Sequence, residues 1–140
     1  MAFYGSTQWL NMLQESVNND PKFAKEAAKL ETSILTVTEI KNLPKPVYIW
    51  IDIHKGKMRE WAYLTDAKER RAEFTMATNY WTWKDLCQGK LDGMQAFTSG
   101  KMKIKGSKVK LLQLNKQLML MLKIMTSLPT DFVDEMFMQQ

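Results

Sequence analysis

The stretch that decides the fold is WTWKDLCQGKLDGMQAFTSGKMKIKG, residues 81–106. Its first part has helical character and stops at Gly89, a residue suited to the left-handed position that ends many helices. A second short helix is predicted at about 93–98. Residues 101–105 then alternate lysine with methionine or isoleucine, which predicts a strand with one face turned inward. The stretch therefore predicts two short helices followed by a strand.

Regular elements are predicted on both sides of this stretch. Towards the N-terminus, apolar residues at helical spacing follow a capping serine, Ser6, and a second helix starts at the pair Asp20-Pro21. Four strands follow, and their consecutive order suggests an antiparallel meander. The predicted elements are helices at about 6–18 and 20–30, strands at 33–41, 47–54, 58–65 and about 72–76, a helix at 107–126, and a final amphipathic helix that begins near Thr130 or Asp131.

The composition predicts a single folded domain over residues 1–140. The chain is 45% apolar and 25% charged and carries a net charge of +5, a balance typical of globular proteins. Its longest uninterrupted apolar run, Leu118 to Leu122, is far shorter than the roughly 20 residues of a membrane-spanning helix. Because no secretory signal is visible at the N-terminus, we expect a cytoplasmic protein.

The quoted stretch resembles the signature of the sterol carrier protein type 2 family. That signature is a helix ending Gly-Lys-Leu-Asp, a short helix containing Ala-Phe, and a strand Gly-Lys-Leu-Lys-Ile-Lys-Gly. Here Met102 stands where leucine is usual. Residues 51–56, which read Ile-Asp-Ile-His-Lys-Gly, are similar to the second strand and turn of the family. The resemblance covers about residues 45–125.

This resemblance implies an α+β fold that binds lipids. It implies a five-stranded, mainly antiparallel sheet with helices packed on one face, enclosing an apolar tunnel. Members of the family bind sterols, fatty acids, fatty acyl-CoA or phospholipids, and some move lipids between membranes. We therefore expect a non-catalytic lipid-binding protein whose partner is a lipid or fatty acyl ligand. Transfer of the lipid between membranes, its storage and its presentation stay open as roles.

Apolar side chains at inward positions are the candidate lining of the tunnel, because buried hydrocarbon gains about 25 cal/mol per Å² removed from water. Methionine side chains adapt to ligands of varied shape, and by resemblance the aromatic cluster at 80–83 borders the tunnel. Each of these residues could equally belong to an ordinary packed core. The predicted ligand-binding residues are Phe74, Met76, Trp81, Trp83, Leu86, Met94, Phe97, Met102, Ile104, Leu112, Met119, Leu122, Phe132 and Met136.

Seven lysines and no acidic residue lie between positions 101 and 123. Such a run is most often a solvated face. The alternative is transient docking on anionic lipid headgroups, to which each lysine near the membrane contributes about 1 kcal/mol. Lys101, Lys103 and Lys105 alternate with inward-facing residues, and they are the predicted membrane-contacting residues.

Catalytic and metal-binding groups are scarce in the sequence. His54 is the single histidine and Cys87 the single cysteine, and neither belongs to a recognised phosphate-binding, nucleophile or zinc motif. We therefore expect no enzyme activity, no metal and no cofactor. A basic nucleic-acid-binding module and an accessory domain that presents a lipid to an enzyme are the alternative functions. No specific nucleic acid is expected, because no recognised motif accompanies the lysines. The oligomeric state stays open.

Overall fold

The structure is a computed structural model that describes residues 2–41 and 43–132. Over these residues the chain forms seven strands and five helices. Their order is β1 (Ala2–Phe3), α1 (Thr7–Asn18), α2 (Pro21–Glu26), β2 (Glu31–Glu39), β3 (Val47–His54), β4 (Lys57–Leu64), β5 (Phe74–Asn79), α3 (Tyr80–Cys87), α4 (Gly93–Thr98), β6 (Lys103–Lys105), α5 (Lys108–Ser127) and β7 (Thr130–Asp131). None of the helices in the described part of the chain has the length and apolar character needed to cross a membrane.

The main sheet is mixed, and its strand order differs from that of a meander. The order is β4-β3-β2-β5-β6. Strand β5 pairs with β2 in parallel, whereas the other three pairings are antiparallel. The mainly antiparallel five-stranded sheet is thus confirmed, and the predicted meander is wrong at β5. Parallel neighbours need a crossover. Residues 65–73 complete it and are held against the sheet, where the indole N–H of Trp50 donates to the carbonyl of Arg71 at 3.1 Å.

Side-chain caps set the starts of the helices. Ser6 accepts a hydrogen bond from a backbone N–H of the first turn of α1 at 3.1 Å, and Asp20 does the same for α2 at 2.8 Å. The caps of α3, α4 and α5 are Asn79, Asp92 and Ser107. Helix α2 is shorter than the predicted 20–30, because Leu30 already belongs to the turn into β2, where its carbonyl accepts from the N–H of Lys55 at 2.7 Å.

The helices pack on one face of the main sheet, as predicted. Alternate residues of β3, namely Ile49, Ile51 and Ile53, point to this face and are buried. Helix α1 covers them with the apolar stripe that starts at Trp9 and ends at Val17. Helix α5 contacts α1, α2 and α3 on the same side. The space for a ligand therefore lies between this helix layer and the sheet.

The end of the described chain forms a strand. Strand β7 pairs in parallel with β1, and the N–H of Tyr4 donates to the carbonyl of Asp131 at 2.9 Å. The predicted helix start near Thr130 or Asp131 is therefore wrong, because the backbone there finds its partners in the N-terminal strand. Residues 133–140, and with them Met136, lie outside the described part of the chain.

Candidate ligand cavity

A cavity of about 120 Å³ lies between the main sheet and the helix layer. Met94 and Phe97 of α4 and Leu112 of α5 line it and are also 40%, 38% and 76% exposed. The cavity therefore reaches the surface between α4 and α5, at an opening that we call the mouth. The lining comprises Tyr4, Trp9, Leu10, Leu13, Ile34, Thr36, Ile49, Ile51, Met76, Trp83, Gly93, Met94, Phe97, Met102, Ile104, Leu111, Leu112, Asn115, Leu118, Met119, Met121, Leu122 and Met125.

The lining is apolar and uncharged. Its polar members are few, and one of them, Thr36, donates its hydroxyl proton to the carbonyl of Ile49 at 3.2 Å. Among the described residues, the lining contains no aspartate, glutamate, lysine, arginine or histidine. A charge moved into such a space loses its hydration without gaining a partner, at a cost of several kcal/mol. The cavity therefore suits a hydrocarbon chain, with any charged group left at the mouth.

Two titratable side chains near the cavity are held neutral. Burial, together with the nearby Cys87 and Tyr80, raises the pKa of Tyr4 well above its ordinary value. Burial also raises the pKa of the Cys87 thiol to about 12, and a thiol reacts as a nucleophile only after it loses its proton. At neutral pH neither group supplies a base or a nucleophile. The described residues also hold no cluster of three or more histidine, cysteine, aspartate or glutamate side chains that could bind a metal.

Nine of the fourteen predicted ligand-binding residues lie in the lining, and these nine come from two strands, three helices and the turn before β6. That they contact a ligand stays a prediction. These nine residues are Met76, Trp83, Met94, Phe97, Met102, Ile104, Leu112, Met119 and Leu122.

The sequence model of the SCP-2 sterol transfer family matches residues 10–119. The chain belongs to this family. Membership assigns it to a class of lipid-binding and lipid-transfer proteins and confirms the resemblance that residues 81–106 carry.

Solved structures of sterol carrier proteins share the fold of this family member. The crystal structure of sterol carrier protein 2 has a TM-score of 0.78 at 19% identity, covering 88% of this chain and 97% of that chain. A conserved hypothetical protein from Thermus thermophilus, described as a possible sterol carrier protein, also has a TM-score of 0.78 at 19% identity, covering 90% of each chain. Palmitated SCP2L2 from Aedes aegypti has a TM-score of 0.56 at 15% identity, covering 77% of this chain and 88% of that chain. No curated protein matches the sequence.

Two predicted lining residues are packed in the core instead. Phe74 is fully buried in a cluster with Ile34 and Leu118, and Met76, two residues further along the same face of β5, takes the place at the cavity. Leu86 is buried in the main core cluster and does not reach the cavity wall. Both residues do face inward. The strand alternation at Phe74 and the helical spacing at Leu86 therefore predicted burial correctly, but they did not locate the cavity.

The two tryptophans of α3 face different sides of the helix. Residues two apart on an α-helix are rotated by about 200°, so Trp81 and Trp83 cannot share a face. Trp83 lines the cavity. Trp81 lies instead in a separate cleft beside residues 39–41 and 43–46, with the Lys84 ammonium 5.5 Å from its ring. The prediction that Trp81 lines the cavity is therefore wrong.

Phe132 lies one layer behind the cavity wall. Its ring stacks on Tyr4 at a centroid distance of 5.8 Å and meets Tyr80 at 6.1 Å, but it does not line the cavity. The N-terminal residues keep it there, because β7 pairs with β1 immediately before Phe132.

We expect Phe132→Ala to lower the free energy of unfolding by about 2 kcal/mol, because a half-buried ring contact is lost. The rate of ligand release should stay unchanged. Chemical denaturation and stopped-flow release of a fluorescent fatty acid measure the two quantities. Phe3→Ala, which removes a 54% exposed ring from the paired strand β1, is the matched control. Faster release at unchanged stability would contradict this prediction and show that Phe132 controls ligand release.

The structure adds lining residues that were not among the predicted ones. They come from the sheet, from α1 and from further positions of α5, and include Ile49, Ile51, Trp9, Leu10 and Leu13. The alternation at 47–53 and the stripe of the first helix both identify these residues as buried. Neither pattern distinguishes a side chain that fills the core from one that borders a cavity.

Proposed function

We propose that the chain holds a single apolar lipid chain, such as that of a fatty acid or fatty acyl-CoA, in the cavity and does not alter it chemically. The observation that carries this proposal is an apolar, uncharged cavity that opens at a mouth between two helices. An apolar pocket gains affinity mainly from removing hydrocarbon from water. A ligand with a long apolar chain and a polar end fits this arrangement, with its polar end at the mouth.

The volume of the cavity indicates that the lining adapts on binding. Ligand pockets usually enclose roughly 300–1,000 Å³, whereas this cavity measures about 120 Å³. Six methionines line it, and their unbranched thioether side chains can repack around an incoming chain. These residues are Met76, Met94, Met102, Met119, Met121 and Met125. The palmitated state of the Aedes aegypti protein supports a fatty acyl ligand for a protein of this fold.

A non-catalytic role agrees with the chemistry near the cavity. Tyr4 and Cys87 hold their protons. His54 lies at the end of β3 with its ring nitrogen 3.5 Å from a carboxylate oxygen of Glu31, and it does not line the cavity. A hydrolytic or transfer reaction would need a base or nucleophile in contact with the ligand, and the described lining offers none.

A fluorescent fatty acid is expected to bind the delipidated protein at about one equivalent per chain, because one cavity accommodates one acyl chain. Palmitoyl-CoA should displace it by competing for the same apolar surface. Fluorescence titration at micromolar protein followed by competition measures both. Absence of binding by both ligands would contradict the proposal. Binding of the acyl-CoA without displacement of the fatty acid would mean that two sites exist.

The contact between anionic membranes and Lys101, Lys103 and Lys105 that the sequence predicts stays a prediction. All three side chains are exposed, and they form no ion pair with another described residue. In β6, however, Lys103 and Lys105 flank Ile104, which lines the cavity. Neighbours in a strand point to opposite faces, so these two lysines point away from the helix layer and from the mouth.

A further inference from the structure

Four apolar side chains are exposed around the mouth of the cavity. Three of them, Met94, Phe97 and Leu112, also line the cavity. The fourth, Val109, is 68% exposed and lies three residues before Leu112 on α5. Val109 does not line the cavity. Single exposed apolar side chains are ordinary on protein surfaces. A group of them around the opening of an apolar cavity marks a surface that another apolar phase covers.

Most charges around this group are positive, and the exception on α4 is its cap Asp92, two residues before Met94. Between Asp92 and Asp131 the sequence contains seven lysines and no acidic residue. On α5, Lys108 lies four residues before Leu112, and Lys116 and Lys123 lie four and eleven residues after it. These spacings place the three lysines on the same side of the helix as Leu112. Lys116 pairs with Glu26 at 3.0 Å. Lys108 and Lys123 form no ion pair with any described residue.

We infer that this mouth surface, made of Met94, Phe97, Val109 and Leu112 with Lys108 and Lys123, docks on an anionic lipid bilayer. The apolar side chains enter the layer of acyl chains, and the lysines meet the headgroups above them. Long lysine stems can lie along apolar surface while their ammonium groups reach the headgroup level. The mouth then faces the bilayer, so a lipid passes between bilayer and cavity without crossing water.

Charge complementarity selects the bilayer over a second copy of the chain. Two copies that met mouth to mouth would bring two rows of lysines together, and like charges across an interface oppose association. An anionic bilayer offers negative headgroups to the lysines and hydrocarbon to Val109 and Leu112 at the same time. Nucleic acid would satisfy the lysines alone.

Other faces of the molecule are poorer candidates for this contact. Helix α1 reads TQWLNMLQESVN, without lysine or arginine and with one glutamate. The lysines of β6 point to the face of the sheet opposite the helices. Exposed Leu43 lies in the segment 43–46, away from the mouth residues. Leu43 lies beside the unpaired Lys41 and Lys45, but it is a single apolar side chain away from the cavity. Among the described residues, the mouth surface alone groups several exposed apolar side chains and unpaired lysines around the opening of the cavity.

The inference predicts that the protein binds vesicles made from a two-to-one mixture of phosphatidylcholine and phosphatidylserine more strongly than vesicles of phosphatidylcholine. Flotation through a density gradient measures the bound fraction. Lys108→Gln with Lys123→Gln should weaken binding to the mixed vesicles about 30-fold, since each lysine near the surface contributes roughly fivefold. The control, Lys103→Gln with Lys105→Gln, changes the net charge equally and should leave most of the binding intact.

Val109→Asp tests the apolar part of the surface. It should weaken binding to the mixed vesicles by about tenfold or more, because the valine leaves the acyl layer and a negative charge meets the headgroups. Leu43→Asp introduces the same group at another exposed position and should leave binding unchanged. Val109 does not line the cavity, so affinity for a fluorescent fatty acid in solution should stay the same, and thermal unfolding should confirm that both variants fold.

The two measurements separate this inference from the proposed function. Vesicle binding without fatty acid binding would contradict the proposed ligand and leave the docking surface in place. Equal losses for Val109→Asp and Leu43→Asp, or for the two lysine pairs, would overturn the docking surface. So would a concentration-dependent dimer that Val109→Asp abolishes, because the occupant would then be a second copy.

Discussion

Leu111→Trp is expected to lower the affinity of the protein for a fatty acid by about a hundredfold. Leu111 lies on α5, is half-buried and lines the cavity. The larger indole would occupy space that the acyl chain needs and displace roughly four methylene groups of it. At about 0.8 kcal/mol for each methylene removed from water, the loss is about 3 kcal/mol. The lining must already repack to admit an acyl chain to a cavity of about 120 Å³, so it has little further volume for the ring.

Leu120→Trp is the matched control for this substitution. Leu120 is also a half-buried leucine of α5, and it packs against the core without lining the cavity. The same change of side chain should therefore leave fatty acid affinity within about threefold of the parent, although it strains the core. Fluorescence titration gives both dissociation constants, and thermal unfolding gives the stabilities. Equal affinities for the two variants would show that the ligand does not occupy this cavity.

Features that depend on near neighbours in the chain were predictable from the sequence. Ser6, Asp20, Asp92 and Ser107 each accept a hydrogen bond from the first turn of the following helix. Such caps are recognisable because the partner lies only three residues away. The alternation at 47–53 likewise gives β3 its buried face, since the period of two is a property of any strand.

The position of a strand within the sheet depends on distant residues. Strand β5 follows β4 in the chain but pairs with β2, because residues 65–73 carry it across the sheet. Nothing in the sequence of β5 indicates that it pairs with β2. The pairing of β7 with β1 is a similar case, since it joins the two ends of the described chain, and a short polar segment such as Thr130-Asp131 reads equally well as the start of a helix.

The boundary between core and cavity is also set by tertiary packing. Phe74 and Met76 share one face of β5, yet only Met76 borders the cavity. Periodicity reports that a residue faces inward. Whether another side chain already fills the space beyond it depends on how α4 and α5 are placed. The resemblance to sterol carrier proteins predicted that a cavity exists and located part of its wall, whereas the wall contributed by α1 needed the structure.

Gly106→Ala is expected to lower the free energy of unfolding by about 4 kcal/mol, which would lower Tm by roughly 10–15 °C for a chain of this size. Gly106 joins β6 to α5 with a backbone φ of +139°, a value that residues with a Cβ rarely adopt. A Cβ at this position would lie 2.5 Å from a ring carbon of Phe74 and 2.9 Å from the backbone oxygen of Glu73. Backbone strain and steric overlap therefore add.

The neighbours of Gly106 cannot easily move to relieve this overlap. Phe74 is fully buried, with Leu118 packed against it. The N–H of Glu73 donates to the carbonyl of Ser33 at 3.0 Å, and the carboxylate of Glu73 accepts from Lys110. Partial burial raises the pKa of this carboxyl, but hydrogen bonds from Lys110 and Thr32 outweigh that effect and lower it. Glu73 is thus held as a carboxylate between the sheet and α5.

Gly100→Ala is the comparison variant without steric overlap. Gly100 has a φ of +79°, and beyond its two chain neighbours no other residue has an atom within 4 Å of the position that a Cβ would take. Alanine at this position therefore carries a backbone cost but no steric overlap. We expect Gly100→Ala to cost about 1 kcal/mol. Denaturant titration of both variants measures the difference, which reports the overlap at Gly106 together with the larger backbone cost of its φ of +139°. Similar costs at the two glycines would mean that the junction between β6 and α5 is looser than the contacts of Gly106 with Phe74 and Glu73 indicate.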